Sequence, residues 1–125
     1  MRIVARAACH PTEDREKVKQ ALLNLFPEGE IEEGEDGMVV RTGSGEKLRQ
    51  IIIDHHIRDT ARSMMLCGRS GNVSRFRLNK QVAFVGKVSF VEGNPPLGAI
   101  EVEVEDDDID AALDHLAEST VEVKE

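Results

Sequence analysis

The sequence predicts an α+β protein of two layers, a mostly antiparallel sheet with helices on one face. Three observations lead there. Short runs of strict apolar/polar alternation recur at Arg2 to Cys9, Val73 to Leu78 and Ala99 to Glu105, the pattern of half-buried strands. Between and after them lie stretches with apolar residues three and four apart, the pattern of helices that bury one face. The third observation is Asn79 to Phe90, where Val82, Phe84, Gly86, Val88 and Phe90 alternate with Ala83, Val85, Lys87 and Ser89. This stretch is read as the central strand of a meander over residues 73 to 105. With Asn79-Lys80-Gln81 as a hairpin loop, Phe76 faces Phe84 and Leu78 faces Val82. With Glu92 to Gly98 closing the next hairpin, Phe90 faces Ile100 and Val88 faces Val102. Both registers gather apolar side chains on one side, as a one-faced sheet requires.

The elements follow in order. Arg2 to Cys9 is a first strand with small residues on its inward face. Thr12 is the expected N-cap of a helix with Glu13 and Asp14 in its first turn and Val18, Ala21, Leu22, Leu25 and Phe26 as its stripe; Pro27 and Gly29 stop it. Glu30 to Glu33 and Met38 to Thr42 flank Gly34-Glu35-Asp36-Gly37, a hairpin with an acidic tip. Glu46 to about Cys67 is helical, with a bend expected near His55-His56 because an unbroken helix would be long for so small a protein. Gly93-Asn94-Pro95-Pro96-Leu97-Gly98 is the most rigid turn. Asp106 to Asp108 cap a last helix carrying Ile109, Ala112, Leu113 and Leu116.

A chain of 125 residues fits one domain, residues 1–125, which buries roughly two thirds of its unfolded surface. Cys9 and Cys67 lie far apart without paired spacing, and no run resembles a signal peptide or membrane span; the expectation is a cytoplasmic protein with reduced thiols. The net charge is −8, but it is unevenly spread. From Arg41 to Lys87 there are ten Lys or Arg against three acids, leaving six bases and 21 acids elsewhere. That split predicts either one basic and one acidic surface, or two halves that neutralise each other across the sheet.

Few constellations carry chemistry. His55 and His56 are adjacent, about 100° apart on a helix, and cannot chelate one ion together. Cys9, His10, Cys67 and His115 would have to converge from separate elements, so no metal site is expected. Glu101, Glu103, Glu105, Asp106, Asp107, Asp108 and Asp110 could hold Mg²⁺, but the glutamates face outward, with Glu103 expected beside Lys87, and Asp106 to Asp108 have a capping role. No phosphate loop or nucleophile motif is present, so neither an enzyme nor a cofactor is expected. What remains is basic: Arg58 and Arg62 on one helix face, Arg69 in the following loop, Arg75 and Arg77 outward on a strand, and Lys80 at the hairpin tip, with Asn79 and Gln81 beside it. Such a set can track a phosphate backbone, or it is a solvated face paired with Asp54 and Asp59. With the strand phenylalanines inward and no Trp or Tyr, RNA contacts would rest on shape and phosphate rather than stacking.

His10-Pro11-Thr12-Glu13, Asn24-Leu25-Phe26-Pro27, Asp59-Thr60-Ala61-Arg62-Ser63, the block from Asn79 to Phe90 and Pro96-Leu97-Gly98-Ala99-Ile100 resemble, in order and over nearly the whole chain, a family of small uncharacterised archaeal proteins. That family is labelled as predicted RNA-binding, exosome-associated subunits. The resemblance implies a fold similar to that of the large-ribosomal-subunit protein five and attaches no catalytic motif. Arg62, Asn79, Lys80, Gln81 and Lys87 lie in the matching motifs, whereas Arg58, Arg69, Arg75 and Arg77 rest on charge alone. The expectation is a non-enzymatic RNA-binding protein, an accessory factor in RNA processing or ribosome-related assembly. The alternative is a module that docks on a protein partner or on a second copy of itself, with no RNA role and no membrane.

Overall fold

The structure, a computed structural model, describes residues 1–91 and 98–117. Its sheet is built from β1 (Arg2–Ala8), β2 (Glu30–Glu33), β3 (Gly37–Thr42), β4 (Arg69–Ser70), β5 (Val73–Asn79) and β6 (Ala99–Glu105). Their spatial order is β2-β3-β1-β6-β5-β4, and every pairing is antiparallel. The helices are α1 (Arg15–Leu25), α2 (Glu46–Asp54), α3 (Arg58–Cys67), α4 (Lys80–Phe84) and α5 (Ile109–Leu116).

Period-two alternation decides which side of the sheet is core. Ile3, Ala5 and Ala7 of β1, Met38 and Val40 of β3, Phe76 and Leu78 of β5, and Ile100, Val102 and Val104 of β6 are all buried. They form one cluster with Val18, Leu22 and Leu25 of α1, Leu48 and Ile52 of α2, Met65 of α3, and Leu113 and Leu116 of α5. Ser74 is the exception on this face; its buried hydroxyl donates to the Met65 carbonyl at 2.6 Å and so ties β5 to α3. The two-layer α+β architecture is therefore the one the periodicities predict. The helical stretch from Glu46 breaks at His55-Ile57, where His56 takes a left-handed φ of 56°. Asp108 caps α5 by accepting the Ala111 N–H at 3.2 Å. At α1 the cap is Asp14, not Thr12: its carboxylate accepts the Glu16 N–H at 2.9 Å.

The meander is corrected. β5 pairs directly with β6, so Phe76 faces Val102 and Leu78 faces Ile100. Residues 80–91 are not a central strand, because Asn79 caps a helix where a hairpin loop was expected. Its side-chain oxygen accepts the Gln81 and Val82 N–H groups at 2.9 and 3.1 Å, turning Lys80 to Phe84 into α4. Gly86, at φ 80°, ends that turn, a left-handed geometry that glycine adopts without penalty. The chain then returns beside β5: Asn79 N–H donates to Ser89 at 2.8 Å, Val91 N–H to Arg77 at 3.0 Å, and Phe90 bridges Leu78. The turn from Gly93 to Leu97 lies outside the described residues.

Candidate nucleic-acid interface

The side of the sheet away from the helices is built from the other half of each strand. Register places its residues in cross-strand rows: Glu30, Arg41, Val4, Glu103 and Arg75 in one, and Glu32, Val39, Arg6, Glu101 and Arg77 in the next. Arg2 and Glu105 begin a third, and their side chains form an ion pair. The acids of β6 thus stand between the arginines of β1 and those of β5. Glu103 accepts from Arg75 at 3.4 Å and lies 3.9 Å from Arg6, while Arg41 reaches Glu32 at 2.8 Å. Arg6, Arg75, Arg77, Glu101 and Glu103 line a depression of about 280 Å³ whose floor includes Phe76 and Val102.

This arrangement corrects one pairing and decides between two readings of the charge. Glu103 meets Arg75 and Arg6 rather than Lys87. On this face the basic and acidic parts of the sequence neutralise each other across the ladder instead of forming a uniformly positive plate. Exposed pairs of this kind hold about 0–1 kcal/mol each, so an arginine here can exchange its carboxylate for another anion at small cost. Its planar fork suits the two oxygens of a phosphate.

The other basic residues expected at the interface sit elsewhere. Arg62 pairs with Asp114, and Arg69 with Asp110 at 2.8 Å, so both fasten α3 and β4 to α5. Arg58 opens α3 and is half-buried. Asn79 is committed to its capping bonds, and Gln81 is exposed in the first turn of α4. Lys80 is not at an exposed tip. It is 4% exposed, and its ammonium donates to the Ala8 carbonyl at 2.6 Å and to the Glu13 carboxylate at 2.9 Å. Helix formation at Asn79 swings it inward, against the ends of β1 and α1. Burial pushes the Glu13 carboxyl pKa up, but the His10 backbone N–H and the Lys80 ammonium outweigh it and hold the group below its ordinary value.

Sequence reasoning missed Arg2, Arg6 and Arg41 as neighbours of Arg75 and Arg77. Their outward positions follow from alternation, but only the strand order puts them on one face. It also missed Phe84, which it turned inward: the ring is 39% exposed on α4, and the Lys17 ammonium lies 5.5 Å from its centroid. Among the described residues, no group of three His, Cys, Asp or Glu side chains stands close enough to hold a metal. No described helix is long and apolar enough to cross a membrane.

A family model described as RNA binding matches residues 2–106. A UPF0200/UPF0201 protein of Archaeoglobus fulgidus is 42% identical over 101 residues, covering 80% of this chain but 31% of that protein, so the chain spans less than a third of that relative. A UPF0201 protein of Pyrobaculum aerophilum is 42% identical over 130 residues, covering 96% of this chain and 91% of the relative. The crystal structure of a UPF0201 protein from Methanococcus jannaschii superposes with a TM-score of 0.88 at 33% identity, covering 97% of this chain and 96% of that one.

Proposed function

We propose a function from one premise: this chain belongs to the RNA binding family, together with the archaeal UPF0201 proteins. We infer that it binds structured RNA through phosphate and shape, as an accessory factor in RNA processing or ribosome-related assembly, and catalyses no reaction on it. The observation that carries this reading is the family match over residues 2–106, and the arginine-bearing face of the sheet supplies the chemistry. Arg75 and Arg77 are the first contacts we assign, with Arg2, Arg6 and Arg41 beside them. Arg58, Arg62 and Arg69 beside α5, and Gln81 on α4, are assigned as secondary contacts on the helical side, off this face. Lys80 and Asn79 contribute indirectly by holding α4. The same proposal takes residues 1–125 as one domain acting in the cytoplasm, similar in fold to the large-ribosomal-subunit protein five, with exosome proteins among its partners.

The face has a filter built into it. Glu101 and Glu103 repel a phosphate unless it approaches along the arginine side chains, which favours an ordered backbone over a diffuse polyanion. Replacing Arg75 and Arg77 by alanine tests the assignment; glutamate would add repulsion against Glu101 and Glu103 and blur the result. RNA affinity falls while stability drops by no more than about 1 kcal/mol, because the Arg75–Glu103 pair is exposed and such pairs hold little. Unchanged affinity removes this face from the proposal.

The neutral Arg and Glu rows favour a second reading, in which a protein partner or a second copy docks on this face. A solution mass above that of a monomer, abolished by the same double substitution, would favour it.

A further inference from the structure

We propose that Phe84 is a stacking surface for one unpaired base of a bound RNA, with Gln81 at the base edge. The inference rests on the RNA-binding reading above and adds a contact region on the helical side, away from the sheet arginines.

The chain has four aromatic residues, all phenylalanine. Phe26 and Phe76 are buried, and Phe90 packs on Phe76 with ring centroids 5.7 Å apart. Phe84 alone presents much of its ring to solvent, with Val85 beside it at 63% exposure. The position is held at both ends of α4. Asn79 caps the start, and Lys80 is locked to Ala8 and Glu13. At the far end the Asn24 amide donates to the Ala83 and Phe84 carbonyls at 2.9 and 2.8 Å, and is itself oriented by Gln20 at 2.7 Å. An aromatic ring on a short, fixed helix loses little freedom on binding, which is the economy of a preorganised contact.

The surroundings select the ligand. Phe84 borders a hollow of about 390 Å³ lined also by Thr12, Asp14, Lys17, Val18 and Gln81, with the Glu13–Lys80 pair at its base. Asp14 and Glu13 balance Lys17 and Lys80, so the hollow suits an uncharged group rather than a bare phosphate. A nucleobase offers a π face for the ring and a donor/acceptor edge for the Gln81 amide, the Thr12 hydroxyl and the second Asp14 oxygen. Among the described residues Lys17 forms no salt bridge; from its place over the ring its flexible stem can close on a base that slides in.

The test uses the full chain and two labelled RNAs, a short single strand carrying 2-aminopurine and a fully paired duplex. The chain lacks Trp and Tyr, so the 2-aminopurine emission is read without protein background. Phe84→Ala weakens single-strand binding about 10-fold and removes the stacking quench, while Phe84→Tyr retains both and duplex binding is unchanged. Thermal melts confirm that both variants fold. Equal single-strand affinity and quench for wild type and Phe84→Ala overturn the stacking role and leave RNA binding by the sheet intact. Equal losses on both RNAs also overturn it, since a base-stacking contact spares a duplex. If the wild type binds neither RNA, the RNA-binding reading itself falls and this inference with it. If Phe84→Ala instead abolishes self-association, the ring is a protein contact and the inference is overturned.

Discussion

Lys80 carries the sharpest consequence of reading residues 80 to 84 as a helix. Lys80→Met keeps an unbranched stem and removes only the charge and its donors. Two acceptors then lose their partner, the Ala8 carbonyl and the Glu13 carboxylate. Removing one member of a buried ion pair costs about 3–5 kcal/mol. Glu13 keeps the His10 N–H at 3.1 Å and its side chain is 14% exposed, so water and the backbone take part of its charge. The low end of the range, about 3 kcal/mol, is therefore expected. In a chain of 125 residues that is a fall of roughly 10 °C in melting midpoint. Circular dichroism melts and urea titrations of Lys80→Met, Glu13→Gln and the double variant measure it. The double variant should cost less than the sum of the singles, because each single leaves the other group without its proper partner. A Lys80→Met protein within about 0.5 kcal/mol of wild type would refute the reasoning, since that is what a solvated hairpin-tip lysine gives.

Two further predictions concern the same corner of the fold and its ends. Asn79→Ala removes the acceptor for two N–H groups at the start of α4 and should destabilise by about 1 kcal/mol in urea unfolding, with Asn79→Gly costing less. Glu13 and Asp106 both titrate below their ordinary values in the folded protein; at Asp106 the causes are the Asp108 backbone N–H and the chain's own N-terminal ammonium. Depressed carboxylates stabilise the fold fully above their unfolded pKa values, 4.5 and 3.8. That stability is lost as pH falls through the lower folded values, because the unfolded chain binds the protons first. Denaturation midpoints followed into acid should therefore drop below about pH 4.5, and Glu13→Gln should lessen the drop.

Much of the fold was legible because its signals are local. Alternation in β1, β5 and β6 put Ile3, Leu78 and Val102 inward without knowledge of their neighbours, and the apolar stripe from Val18 to Leu25 needed only helical spacing. The break at His55-Ile57 followed from length. The stretch from Asn79 to Phe90 misled for a physical reason: a short apolar run alternates equally well in a strand and in a helical turn followed by a return segment. Asn79 compounds the ambiguity, because the same side-chain acceptor serves a turn or an N-cap. What decides is Lys80 finding Ala8 and Glu13, about seventy residues earlier in the chain, and sequence carries no mark of that contact. The outward sides of Arg75 and Glu103 were readable, but not that β6 would carry its acids between two arginine-bearing strands. Phe84 was hidden by the same error that misplaced its strand.

The central claim, that this chain binds RNA through ordered phosphate contacts, is tested most directly by fluorescence anisotropy of a labelled structured RNA over a series of salt concentrations. Protein freed of nucleic acid is required, and its very weak absorbance at 280 nm makes contamination plain. Binding whose log affinity falls linearly with log salt, with a shallower slope for Arg75→Ala/Arg77→Ala, is the predicted result. No binding at low salt would contradict it and leave the neutral sheet face as a protein-docking surface.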